Sequence, residues 1–94
     1  MDLLVNLDVD NLDNAIAFYG TVFDLKVGRR FGTGAAEMLG SSAPIYLLAK
    51  AAGTPVSSRT TERRSFGRHW TPVHLDFVVA SITFIVYFFM GGLG

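Results

Sequence analysis

The spacing of hydrophobic and polar residues changes along the chain and predicts strands together with one helix. Residues 3–9 alternate between apolar and polar side chains, with the apolar ones at Leu3, Val5, Leu7 and Val9. This period of two is typical of a half-buried strand. The next stretch has a helical period, with apolar residues at Leu12, Ala15, Ile16, Tyr19 and Phe23. We therefore expect an amphipathic helix, and either Asp10 or Asn11 can cap its N-terminus.

Four further short segments have the character of strands. They are residues 26–32, 35–40, 44–51 and 72–79, and glycine-containing turns separate the first three. Residues 53–69 are rich in Gly, Ser, Thr and Arg and show no period, which predicts a long loop. The order of elements is thus β-α-β-β-β, a long loop, one more strand and a C-terminal tail.

The tail is unusual because residues 77–94 carry no charge. Its length reaches the minimum for a transmembrane helix, but residues 77–79 already belong to the last predicted strand. The remaining residues would form a helix of roughly 22 Å, which is shorter than a hydrocarbon core of about 30 Å. No basic residue flanks the segment, and its β-branched and aromatic residues favour a strand. We expect the tail to pack on protein and not to anchor the chain in a membrane.

Composition narrows the classes of function. The 94 residues have no net charge, so no overall field attracts nucleic acid, and no nucleic-acid partner is expected. The absence of cysteine excludes disulfides, thiolate metal sites and a cysteine nucleophile. Half of the residues are hydrophobic, which is high for so small a chain and favours contact with another chain. The start, Met1-Asp2, lacks the basic region of a signal peptide, so a cytoplasmic location is expected.

Two phrases of the sequence resemble a known family. They are VDNLDNAIAFYGTVFDLKVGRRF at residues 9–31 and HWTPVHLDFVV at residues 69–79. Both are similar to motifs of the vicinal-oxygen-chelate superfamily, the group of glyoxalases, bleomycin-resistance proteins and extradiol dioxygenases. The resemblance implies an α+β fold with one glyoxalase-like βαβββ module over residues 1–79, including the first strand of a second module. Residues 80–94 form an apolar tail that is atypical of the family, which suggests a natural truncation or a frameshifted end.

The resemblance also implies where a metal would bind. In the family, two modules pair into a cup that holds a small molecule, often on a divalent metal. The ligands come from the first and fourth strands of each module. In this sequence the corresponding positions are Leu4, Tyr46 and His74, and the fourth position would lie beyond residue 94. Only His74 is a ligand of the family's usual type, so no cofactor is expected.

Three functional interpretations remain open. The preferred one is a metal-free homodimer that binds a small apolar or anionic molecule, with residues 72–94 either packed across the interface or exchanged between the two chains. The second is a divalent-metal-dependent lyase or dioxygenase that uses His74, and the third is a relic with the fold but no ligand site. The candidate ligand-binding residues are Tyr46, Trp70, His74, Arg68 and Glu37. For Glu37, exposure on a strand face is the favoured interpretation, and the catalytic residues cannot be named from the sequence.

Overall fold

The computed structural model describes residues 1–78 and the backbone of residues 85–89. The elements are β1 (Val5–Val9), α1 (Leu12–Phe23), β2 (Lys26–Phe31), β3 (Ala35–Leu39), β4 (Ile45–Ala49), β5 (His74–Val78) and β6 (Ile85–Phe89). The predicted βαβββ order and the α+β class are confirmed. The predictions that concern residues 79–84 and 90–94, including most of the tail, lie outside the described residues.

The first four strands form one mixed sheet in the order β1-β4-β3-β2. The pair β1–β4 is parallel, whereas β4–β3 and β3–β2 are antiparallel. In this register Tyr46 of β4 lies between Asn6 of β1 and Glu37 of β3. Side chains of directly paired residues lie on the same face of a sheet, so these three polar residues form a row across the strands.

Local hydrogen bonds cap both ends of helix α1. The Asn11 side chain accepts a hydrogen bond of 2.9 Å from the backbone N–H of Asn14, which fills the role predicted for Asp10 or Asn11. At the other end Asp24 adopts a left-handed conformation with φ 55°, and the N–H of Leu25 reaches back to the carbonyl of Tyr19. These contacts satisfy backbone groups that have no partner within the helix.

The helix covers one face of the sheet and forms the core with it. The buried hydrophobic residues are Leu7, Val9, Leu12, Ala15, Tyr19, Leu25, Ala36, Met38, Ile45 and Leu47. Among the largest, Met38, Leu47 and Val9 are completely buried, and burial of such a side chain stabilises the fold by about 1.5–3 kcal/mol. The sequence suggested that β4 is buried on both sides, but Tyr46 and Leu48 are only half-buried because α1 covers one face alone.

Strands β5 and β6 form a separate antiparallel pair in which His74 lies opposite Phe89. The strand character predicted for the tail is confirmed at Ile85–Phe89. Strand β5 packs on α1 through Phe77, whose ring stacks on Phe23 with centroids 4.3 Å apart. Among the described residues, no helix combines the length and the apolar character that crossing a bilayer requires.

Residues 53–64 are more ordered than the sequence predicted. Backbone hydrogen bonds join Gly53 to Arg64, Thr54 to Arg64 and Val56 to Glu62, and Pro55 bridges to Arg63. The predicted long loop is confirmed, since residues 53–69 form no helix or strand, and within it residues 53–64 fold into a hairpin-like turn. The pairing escaped prediction because the short bridge carries no hydrophobic alternation.

Candidate functional site on the face opposite the helix

A β-bulge in β2 determines which side chains meet at the site. The antiparallel register of β2 and β3 shifts between Val27 and Arg30, so Gly28 and Arg29 together face Glu37. Such β-bulges redirect side chains and occur often beside functional sites. Here the bulge brings the backbone N–H and the side chain of Arg29 to the same carboxylate.

Three polar side chains form a closed network on the face of the sheet opposite α1. Glu37 Oε1 accepts hydrogen bonds from the Arg29 backbone N–H at 3.1 Å and from Arg29 Nε at 3.4 Å. Glu37 Oε2 accepts from Arg29 Nη2 at 3.3 Å and from the Tyr46 hydroxyl at 2.7 Å. Arg29 Nη2 also donates to the Tyr46 hydroxyl oxygen at 2.7 Å. We call these three residues the Arg29–Glu37–Tyr46 network.

The network depends on a glycine. A Cβ at Gly28 would lie 2.5 Å from Glu37 Oε1 and 2.7 Å from Leu39 Cδ1, both far below ordinary contact distances. The backbone of Gly28 is not in the left-handed region, so the requirement is steric and not conformational. Glycine at this position therefore leaves the space that the Glu37 carboxylate occupies.

The electrostatics of the network follow from its hydrogen bonds. The bonds from Arg29, and then those from Tyr46, lower the pKa of Glu37 below its ordinary value. The same contacts raise the pKa of Arg29. Hydrogen bonds to the charged form of a group favour that form, so Glu37 stays ionised and Arg29 stays protonated. The network is a fixed ion pair at neutral pH.

The aromatic ring of Phe31 borders the network. Phe31 and Tyr46 are stacked with centroids 6.0 Å apart, and the guanidinium carbon of Arg29 lies 5.5 Å from the Phe31 centroid. Stacking of a guanidinium on a ring is favourable because the ring face carries partial negative charge. Phe31 remains 46% exposed, so part of its surface is open to another molecule.

A cleft of about 550 Å³ lies beside β1 on the same side of the sheet. Its lining comprises Asn6, Asp8, Val56, Glu62, Arg63, Arg64, Ser65, Phe66, His69, Trp70, Thr71 and Pro72. The lining therefore combines two aromatic rings with polar and charged groups. The volume lies within the range of small-molecule sites, and the two rings add apolar surface to a lining in which most residues are polar or charged.

An ion pair fastens the outer wall of the cleft to the sheet. Arg64 Nε donates to Asp8 Oδ2 at 2.8 Å, and these side chains are 18% and 34% exposed. Arg64 Nη1 also donates to the Thr54 hydroxyl and to the Pro55 carbonyl. One arginine therefore holds together β1 and both sides of the hairpin at residues 53–64.

The predicted site residues lie at four separate places in the structure. Tyr46 and Glu37 meet in the network, and Trp70 lines the cleft with 76% of its surface exposed. Arg68 is exposed and does not line the cleft, and His74 begins β5. The prediction that Glu37 is exposed is wrong, because Arg29 covers the residue and leaves only 8% of it exposed.

Two of the three residues at the positions where the family resemblance implies metal ligands offer no free donor to a divalent metal. Leu4 has no donor atom, and the Tyr46 hydroxyl is already bonded to Glu37 and Arg29. Divalent metals in such sites require several oxygen or nitrogen ligands at once. In the described part of the chain, no three His, Asp or Glu side chains gather closely enough to hold a metal ion.

Sequence reasoning missed Arg29, Gly28 and the Asp8–Arg64 pair. A glycine within a strand is a signal for a bulge, so Gly28 could have pointed to the irregularity that brings Arg29 to Glu37. No signal of this kind exists for Asp8 and Arg64, since 56 residues separate them along the chain. Their contact depends on how the hairpin folds back over β1.

Comparison with solved structures identifies the fold. The structure is similar to that of a lactoylglutathione lyase from Agrobacterium tumefaciens, with a TM-score of 0.51 and 19% sequence identity. The chain has a glyoxalase-like fold. The match covers 76% of this chain but only 54% of the lyase, so the glyoxalase-like chain spans about half the length of that structure. No family model matches the sequence, and no curated protein matches it.

Proposed function

We propose that this glyoxalase-like protein binds a small, planar, largely apolar molecule in the cleft beside β1, without a metal ion. The observation that carries the proposal is the lining of the cleft. Phe66 and Trp70 offer ring surface, Asn6 offers an amide that both donates and accepts, and Arg63 offers positive charge. Rings bury a large area of a planar ligand, while the polar groups orient it.

The metal-free part of the proposal rests on the chemistry of the available donors. Of the three residues at the positions where the family resemblance implies ligands, only His74 carries an imidazole, and Leu4 and Tyr46 offer neither a carboxylate nor an imidazole. Elemental analysis of the purified protein tests this point. We expect less than stoichiometric Zn, Ni, Mn or Fe, and stoichiometric metal that is lost in His74→Ala would support the metalloenzyme instead.

Ligand binding can be tested by thermal unfolding with 2-naphthol, an uncharged planar compound. Binding to the folded state alone, at ten times the dissociation constant, adds about 1.4 kcal/mol and raises Tm by about 5–10 °C. Phe66→Ala should abolish the shift because it removes a ring from the cleft. Val22→Ala is the control, since Val22 is a half-exposed apolar residue of α1 outside the cleft. No shift in the wild type, or equal shifts in both variants, would contradict the proposal.

We propose in addition that two copies pair through the face opposite α1. Leu4 and Leu39 are 46% and 40% exposed there, and burial of such apolar surface favours association. A second copy would supply the partner module that the family resemblance implies. Light scattering should report a dimer at micromolar concentration, and Leu39→Lys should favour the monomer. A wild-type monomer at that concentration would contradict this part of the proposal.

A further inference from the structure

The guanidinium of Arg29 has N–H donors that the network does not use. A guanidinium carries five N–H groups. Nε–H donates to Glu37, and Nη2 donates to Glu37 and to the Tyr46 hydroxyl, which uses three of them. The two N–H groups of Nη1 donate to no group of residues 1–78 or of the backbone of residues 85–89. The side chain is 67% exposed, so a molecule from solution can reach this end of the guanidinium.

The network also fixes the direction of the free donors. An unbound arginine loses much of its rotational freedom when it binds a ligand, and this loss weakens binding. Glu37 and Tyr46 hold the Arg29 side chain through the bonds described above, and Glu37 is itself nearly buried. The Arg29 side chain therefore loses its rotational freedom when the protein folds, and a ligand binds to an arginine that is already oriented.

The exposed ring of Phe31 decides which kind of ligand suits this place. Glu37 offsets much of the positive charge of Arg29, so charge attraction alone would give weak binding of a simple anion. Phe31 lies next to the guanidinium and keeps 46% of its surface exposed. A planar conjugated acid can accept hydrogen bonds from Nη1 and place its own ring against Phe31 at the same time.

We propose that Arg29, held by Glu37 and Tyr46 beside Phe31, binds the carboxylate of a planar conjugated small molecule. This site is distinct from the cleft beside β1 and does not depend on the function proposed for it. Asn6 lines the cleft, and the row Asn6, Tyr46, Glu37 leads across the sheet to β2. Three strand spacings, or about 14 Å, separate β1 from β2.

Titration of the ¹⁵N-labelled protein with benzoate, followed by amide chemical shifts, tests the proposal. The Arg29 amide is a direct reporter because its N–H donates to Glu37. We expect saturable shifts centred on Arg29 and Phe31, and a benzoate affinity about three- to tenfold above that of acetate because of the ring contact. Benzamide, which has the same shape without the charge, should bind about tenfold more weakly than benzoate.

Matched variants separate the site from general charge effects. Arg29→Gln should weaken benzoate binding about tenfold or more. Arg30→Gln is the control with the same loss of charge, because Arg30 is the next residue but pairs with Asp13 of α1 on the other face. This control should change the affinity less than about twofold, as expected for a charge on the far side.

Phe31→Leu is a second variant that tests the site even if Arg29→Gln does not fold, because it leaves all hydrogen bonds of the network in place. In this variant the preference for benzoate over acetate should disappear while acetate binding is unchanged. Equal benzoate affinity in Arg29→Gln and Arg30→Gln would overturn the proposal. So would the absence of saturable shifts in the wild type, or shifts confined to the cleft around Trp70.

Discussion

Replacing Gly28 with alanine tests whether the Arg29–Glu37–Tyr46 network is a tightly built part of the fold. The added methyl group would meet Glu37 Oε1 at 2.5 Å and Leu39 Cδ1 at 2.7 Å. Leu39 is 40% exposed and can rotate away, but Glu37 is nearly buried and bonded to two partners. We therefore expect the carboxylate to move and its bond to the Arg29 backbone N–H to break.

The size of the effect follows from two opposing terms. Overpacking of a filled site costs about 1–3 kcal/mol. Alanine also reduces the freedom of the unfolded chain, which stabilises the fold by about 0.4–1 kcal/mol. The balance is a loss of about 1–2 kcal/mol in the free energy of unfolding, or a fall in Tm of about 5–10 °C for a domain of this size.

Urea unfolding followed by fluorescence measures this loss. Gly34→Ala is the matched control, because Gly34 lies in the turn that follows β2 and a Cβ there would meet nothing within 4 Å. We expect the stability of Gly34→Ala to be unchanged or higher by up to about 1 kcal/mol. In a Glu37→Ala background the penalty of Gly28→Ala should fall. Equal effects of the two glycine substitutions, or an undiminished penalty without the carboxylate, would refute the steric argument.

Three further substitutions test other parts of the structure. Burial raises the pKa of Tyr19 to about 12 from an ordinary value of 10.0. The buried neutral hydroxyl therefore contributes its full stabilisation below pH 10, and this contribution is lost as the pH rises to about 12. Tyr19→Phe should lose less stability than the wild type over that range, and an equal loss would contradict the assignment. Leu47→Ala should destabilise the protein by about 2–5 kcal/mol in urea unfolding because Leu47 is completely buried, and a cost below about 1 kcal/mol would contradict the described core. Asp8→Asn removes the charge that anchors Arg64, so limited proteolysis within residues 53–64 should accelerate several-fold, whereas Asp10→Asn, at an exposed position just after β1, should leave the rate unchanged.

The sequence was sufficient for the elements that have a clear hydrophobic period. The alternation in residues 3–9 and the stripe from Leu12 to Phe23 correspond to β1 and α1, and one of the two suggested caps, Asn11, is the observed one. These features depend on residues close together in the chain, so periodicity reveals them. The family resemblance supplied the order of the remaining strands.

The polar face could be predicted only in part. Tyr46 and Glu37 were chosen as separate candidates, but their contact arises from the pairing of β3 with β4. The position of Arg29 requires the bulge in β2, which shifts the register by an amount that no periodicity specifies. Glu37 was expected to be exposed because an isolated acid on a strand normally is, and the covering arginine made that expectation wrong.

The indole N–H resonance of Trp70 provides the most direct test of the proposed small-molecule site. Trp70 is the only tryptophan of the chain and lines the cleft, so its single indole signal reports on the cleft without any assignment. Titration with 2-naphthol should shift this signal to saturation in the wild type and in Arg30→Gln, and much less in Phe66→Ala. An indole resonance that does not move, while 2-naphthol shifts other signals or none, would contradict the account.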